Sequence, residues 1–166
     1  KDATADVALA GVRANLSDEL APLALALVQG RVHGRVLADG MEFSGRGLSV
    51  VMEHGPEIPK TDFQIVWRPQ AGGAVAASAI DLASLRGLAG SLPLPPQLAQ
   101  ALEETEPQGR LSDARLEWEG PFDAPSRASV RMRFADLGLR AHERLPGFSG
   151  LSGSIDATHE RGKLSL

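Results

Sequence analysis

Residues 151–158 place Leu151, Gly153, Ile155 and Ala157 on one parity and Ser152, Ser154, Asp156 and Thr158 on the other. Alternation with a period of two is the geometry of a strand that buries one face and wets the other. The pattern recurs along the chain. Val32, Gly34 and Val36 stand against Arg31, His33 and Arg35, and Leu116 and Trp118 against Arg115, Glu117 and Glu119. Ala128, Val130, Met132 and Phe134 stand against Ser129, Arg131 and Arg133. Strands that keep their charges on one parity imply a sheet with one polar and one apolar face. What covers the apolar face then decides the function.

Turn chemistry divides these strands into successive hairpins. Ala38-Asp-Gly-Met41 is a hairpin signal, because Asp-Gly accepts positive φ at both central positions. Met41 and Phe43 resume the alternation, Gly45-Arg-Gly47 breaks it, and Leu48, Val50 and Met52 restart it. A loop at 55–59 precedes the face formed by Phe63, Ile65 and Trp67; the return strand runs over 74–80. His159-Glu-Arg-Gly162 reads as a polar hairpin loop, after which Lys163-Leu-Ser-Leu166 takes up the alternation again. Residues 4–14 read as a strand. Helical spacing is confined to two regions. Asn15-Leu-Ser-Asp18 offers a cap, and Leu20, Leu23, Ala24 and Leu27 share a helical face, so a short helix is expected over 18–29 with Pro22 in its first turn. Asp81 can cap a helix over 82–89, striped by Leu82, Leu85 and Leu88. A second helix over 97–106 would turn Leu98, Ala101 and Leu102 inward and expose Glu103, Glu104 and Glu106. Acidic residues at a helix C-terminus oppose the macrodipole, so that end is expected to fray. The expectation is a mainly β chain: a curved antiparallel meander of roughly ten strands with two or three short helices, 82–106 forming a helical insertion in a single unit over 1–166.

Other chemistry is poorly supplied. A net charge of −4, with no run of Lys or Arg, gives no phosphate footprint for a nucleic-acid partner. The chain has no cysteine, hence neither disulfide nor thiolate chemistry, and no apolar run long enough to span a membrane. His33, His54, His142 and His159 lack metal-ligand spacing, and the His-Glu pairs at 142 and 159 are followed by Pro146 and Lys163 where a zincin helix needs histidine. Gly147-Phe-Ser-Gly150 falls short of a nucleophile elbow because position 151 is leucine. Gly45-Arg-Gly47 and Gly72-Gly73 have neither a P-loop lysine nor a following helix. No catalytic residue, metal site or cofactor is expected, and the chain reads as a non-enzyme.

The stretch Pro146-Gly-Phe-Ser-Gly-Leu-Ser-Gly-Ser-Ile155, a short loop and then Gly162-Lys-Leu-Ser-Leu166 resembles a recurring unit of the large AsmA-like proteins of Gram-negative envelopes, the YhdP type in particular. Gly30-Arg-Val-His-Gly34, Gly72-Gly-Ala-Val75 leading into Ala79-Ile-Asp-Leu82, and Gly109-Arg-Leu-Ser-Asp113 leading into Leu116-Glu-Trp118 extend the resemblance over most of the chain. The resemblance implies a slice of an elongated, repetitive β-groove in the periplasm, held to the inner membrane by an anchor elsewhere in a longer polypeptide. The start at Lys1, without methionine or leader, is read the same way, as an interior segment. The partners implied are phospholipid acyl chains and neighbouring repeats of the same polypeptide.

Two readings of the apolar face follow. In one it is the floor of a groove carrying lipid acyl chains between the inner and outer membranes, lined by Val32, Val36, Phe43, Val50, Met52, Phe63, Ile65, Trp67, Leu116, Trp118, Val130, Met132, Phe134, Leu139, Ile155 and Leu164. In the other it is the ordinary core of a structural or scaffolding β-domain with no ligand of its own. The resemblance favours the groove.

Overall fold

The computed structural model describes residues 2–14, 21–53, 58–91, 96–142 and 146–166. Nine strands form one antiparallel sheet: β1 (Asp2–Ala14), β2 (Leu23–Val36), β3 (Met41–Met52), β4 (Ile58–Arg68), β5 (Gly72–Asp81), β6 (Gln108–Glu119), β7 (Arg127–Leu139), β8 (Phe148–Thr158) and β9 (Gly162–Ser165). Spatial order equals chain order, so every connection is a hairpin except the helical excursion between β5 and β6. The sheet is not closed, and β1 and β9 are its edges. The meander is therefore as expected, with nine strands in place of about ten.

The β2–β3 turn sits at Asp39-Gly40, where the sequence signals it, but neither residue takes the positive φ on which that signal rests. Leu37 N–H donates to Gly40 O at 2.9 Å and closes the β2–β3 hairpin. A Cβ on Gly40 would lie 2.0 Å from Trp67 O, so that corner admits no side chain.

The helix expected over 18–29 is not formed. Residues 18–20 lie outside the described residues, Ala21 and Pro22 are not helical, and β2 already runs from Leu23. Leu23-Ala-Leu-Ala-Leu27 satisfies a period of two as well as it satisfies a helical stripe. Pairing decides between them: Leu25 and Leu27 are matched to Val12 and Ala10 of β1 on one side and to Met52 and Val51 of β3 on the other. A segment with a partner strand on both flanks satisfies its backbone in the sheet, and that outweighs local helix propensity.

Several strands switch apolar parity midway. In β3 the apolar side passes from Met41, Phe43 and Gly45 to Leu48, Val50 and Met52, and in β7 from Met132 and Phe134 to Leu137 and Leu139. Each switch coincides with a register shift and a residue at positive φ, Gly47 (58°) in β3 and Asp136 (53°) in β7. A bulge inserts one residue, flips the parity and bends the strand. Those in β3 and β6 align across the sheet, because Gly47 faces Asp62, Asp62 faces Ser78, and Ser78 faces Asp113, itself at φ 50°. Side chains from the next strand take up backbone donors along this row. Gly47 N–H donates to Asp62 Oδ1 at 2.6 Å and Asp62 N–H to Ser78 Oγ at 2.9 Å. The row is a crease across β3–β6, and it separates an end of the sheet that carries helices from an end that does not.

At the helical end, α1 (Leu82–Leu88) begins at Asp81, whose carboxylate accepts from Ser84 N–H and Ser84 Oγ–H, both at 2.8 Å. This satisfies a first-turn donor and a buried hydroxyl together. α1 packs on β5 and β6. Its Leu88 reaches the core cluster of Leu25, Val50 and Met52, which also includes Val12, Val28, Leu48 and Ile58. A 3-10 turn (Ala89–Ser91) leads toward α2 (Pro96–Thr105), where Leu102 is buried but Ala101 is exposed, contrary to the inward stripe expected; the side chain of Leu98 lies outside the described residues. The acidic end of α2 is held. Glu106 pairs with Arg86 of α1 at 3.2 Å and with Arg140 beyond β7, and Glu104 pairs with His142 at 3.1 Å. Arg140's hydrogen bond and charge, and then those of Arg86, keep the Glu106 carboxyl below its ordinary value.

Candidate functional site

Strand register assembles the alternating residues into one surface. Directly paired residues share a face, so each set of partners can be followed across the sheet. One row runs Val36, Met41, Trp67, Gly73, Trp118, Ala128; the next runs Gly34, Phe43, Ile65, Val75, Leu116, Val130, Ala157. Met132, Ile155 and Leu164 continue the surface to the β9 edge. Neither row contains a polar side chain.

Glycines let the large rings lie flat on this surface. The Phe63 ring covers Gly45, where a Cβ would stand 2.2 Å from its Cε1, and the Trp118 ring covers Gly73, where a Cβ would stand 2.4 Å from its Cζ2. Trp118 can thereby reach across β5 to Trp67, with ring centroids 5.6 Å apart. Phe122, from the loop between β6 and β7, closes the group at 5.6 Å from Trp67 and 5.2 Å edge-on to Trp118. Phe43 and Phe63 form a second pair at 5.5 Å.

The two ends of the face differ. At the helical end Val50, Met52, Phe134, Leu25, Leu82 and Leu102 are buried. Beyond the crease, Val36, Met41, Phe43, Leu116, Phe122 and, on β9, Leu164 are exposed, Val36 and Leu164 by 66% and 60%. Large apolar side chains left exposed together on one face make this end of the sheet the candidate binding surface.

All sixteen candidate lining residues fall on this face, in three environments. Val50, Met52, Trp118 and Phe134 are buried; Val32, Phe63, Ile65, Trp67, Val130, Met132, Leu139 and Ile155 are half-buried; Val36, Phe43, Leu116 and Leu164 are exposed. Sequence reasoning left out Met41, although its parity with Phe43 signalled it. It also left out Phe122, which stands in a loop where no period exists to be read.

The opposite face is polar and largely self-neutralised. Asp6 takes Arg31 Nε at 2.6 Å and Nη2 at 3.3 Å across the β1–β2 pair, so its carboxyl lies below the ordinary value and the guanidinium above its own. Arg35 pairs with Asp2, Arg131 with Asp156 and Arg133 with Asp113. Exposed pairs of this kind add little stability, but they keep the face wet and in register. A recess of about 760 Å³ lies on this side, lined by Thr4, Arg31, His33, Glu42, Ser44, Arg46, Asp62, Gln64, Ser78, Asp113 and Arg115, among others, and of the sixteen candidates only Phe63 touches it. This large recess therefore belongs to the wet side of the sheet.

The histidines are dispersed. His33 lies against Asp2 at 3.0 Å and Thr4 at 2.8 Å, His142 against Glu104, and His159 near Glu160, while His54 is outside the described residues. Among the described residues no group of three or more His, Asp or Glu is placed to hold a metal, and no helix is long and apolar enough to cross a membrane. Gly147-Phe-Ser-Gly150 leads into and forms the start of β8, without the strand-to-helix turn of a nucleophile elbow.

The open meander with one apolar face agrees with the fold that the alternation predicts, and comparison with known families bears on the resemblance directly. The profile of the family described as YhdP protein matches residues 1–166. The chain belongs to the YhdP family. Membership groups it with the AsmA-like envelope proteins. Comparisons with curated proteins and with solved structures return no match.

Proposed function

We propose that the chain contributes a stretch of apolar surface along which phospholipid acyl chains pass between the inner and outer membranes. In this reading the protein is periplasmic and held to the inner membrane by a segment elsewhere in its polypeptide. Neighbouring repeats would extend the surface from the free edges of β1 and β9. The observation that carries the reading is the pair of apolar rows crossing β2 to β7, in which Val36, Met41, Phe43 and Leu116 stand exposed at the end that carries no helices. An acyl chain of about fifteen methylenes gains roughly 12 kcal/mol on leaving water, at ~0.8 kcal/mol per methylene, so such a surface can hold lipid without a charged anchor. No catalytic group is required.

A second reading, a structural β-domain without a ligand, is favoured by one observation: α1 and the Leu25–Val50–Met52 cluster already cover the helical end as an ordinary core. Photo-crosslinking residues placed at Trp67, Trp118 and Met132 separate the two. Capture of phospholipid in cells supports conveyance, and failure at all three positions leaves the structural domain.

A further inference from the structure

The rim row Val36–Met41–Trp67–Gly73–Trp118–Ala128 is uncovered at its β2–β3 end but not over the tryptophans. There the 120–126 loop lays Phe122 on both indoles, and Trp118 is only 7% exposed although it stands on the open end of the sheet. The loop is tied at its two ends. Gly120 N–H donates to Ala71 O at 3.1 Å, and Ser126 donates to Glu119 O through its N–H at 2.9 Å and its hydroxyl at 3.2 Å. Within the loop the one backbone bond is local, from Ala124 N–H to Pro121 O at 3.2 Å. Gly120 takes φ 85°, a conformation that a residue with a side chain rarely adopts. Phe122 could therefore leave the indoles without breaking a single ladder bond, and the residue, 42% exposed, already meets water. A ring supplied by a loop and held only by stacking occupies the apolar slot as a ligand would.

We propose that the 120–126 loop is a flap: Phe122 covers the Trp67–Trp118 slot when no lipid is present and yields it to an acyl chain. This rests on the acyl-chain reading above. Chain and ring compete for one surface, so the apparent affinity for lipid is reduced by the fraction of molecules with the flap open.

The chain's two tryptophans, Trp67 and Trp118, both report on the slot. Two quenchers separate the flap from its ligand. Acrylamide in water reads whether the indoles are covered, and a short-chain phosphatidylcholine with brominated acyl chains, kept below its micelle concentration, reads whether an acyl chain reaches them. Phe122→Ala should raise acrylamide quenching and bring the brominated lipid on roughly tenfold more tightly, the loss of two aromatic contacts shifting the closed population by about that factor. Phe122→Leu, which retains an apolar cover and guards against misfolding, should fall between. Acrylamide quenching unchanged across wild type, Leu and Ala overturns the flap, as does brominated lipid binding more weakly to Phe122→Ala than to wild type. Uncovered indoles that brominated lipid quenches in no variant overturn the acyl-chain reading itself and, through it, the flap's role, with the cover measured independently by acrylamide.

Discussion

Gly45 and Gly34 stand on adjacent strands of the apolar face, each beside a phenylalanine, and neither needs positive φ. The structure assigns them opposite responses to alanine. At Gly45 the new Cβ would lie 2.2 Å from Phe63 Cε1 and 2.9 Å from its Cδ1 and Cζ, so the ring must leave its place and its 5.5 Å contact with Phe43. Overpacking of this kind costs about 1–3 kcal/mol, and the aromatic pair adds up to ~1 kcal/mol. Replacing a strand glycine returns roughly 0.5–1 kcal/mol of backbone entropy, leaving a net loss of about 2 kcal/mol. At Gly34 the nearest atom, Phe43 Cδ2, is 3.6 Å away, an ordinary contact, so the entropy term stands alone and Gly34→Ala should stabilise by about 0.5 kcal/mol. In urea unfolding followed by circular dichroism, with a slope of roughly 2 kcal/mol per molar, the midpoint should fall by about 1 M for Gly45→Ala and rise by about 0.2–0.3 M for Gly34→Ala. Equal shifts, or an unchanged Gly45→Ala, would refute the argument that rings lie over glycines on this face.

Asp62→Ala removes the acceptor for Gly47 N–H along the crease and should cost about 0.5–1.5 kcal/mol, seen as a fall of roughly 2–5 °C in Tm. Asp81→Ala removes the α1 cap and strands the buried Ser84 hydroxyl; a loss of about 1–2 kcal/mol is expected in the same melts, and Asp81→Asn should restore part of it. Because Arg140 and Arg86 hold the Glu106 carboxyl below its ordinary value, the stability it contributes is present above the unfolded-state pKa and disappears as pH falls through the lowered folded-state pKa. Melts from about pH 6 to about pH 3 should show this acid-side loss in wild type and a shallower one in Arg140→Ala. The unpaired edges of β1 and β9 should make the isolated chain self-associate weakly in sedimentation velocity as concentration rises, and Leu9→Lys on β1 should suppress it. A strictly monomeric chain at high concentration would favour a self-contained domain.

The polar and apolar partition of the sheet was legible in the residues alone, because a period of two holds within runs such as 32–36, 114–118 and 128–134, and Asp39-Gly40 and the charged turn at 159–161 place the reversals. The sixteen candidate positions share a face for that reason. Asp81 declared its helix because a carboxylate three residues before a backbone donor is a local relation. Three features depended on partners distant in sequence. Residues 23–28 fit helix and strand equally, and only β1 and β3 on their flanks made them a strand. Gly45-Arg-Gly47 reads as a break in the alternation and nothing local marks one at Asp113 or Asp136; the neighbouring register shows switches at Gly47, Asp113 and Asp136 that keep Leu48, Leu116 and Leu137 on the apolar side. Phe122 carries no period, and its place over Trp67 and Trp118 exists only because Gly73 lets one indole cross a strand to meet the other. Alternation is a property of consecutive residues and can be read from them. Which half of the resulting face is covered, and by what, is settled by contacts between residues tens of positions apart.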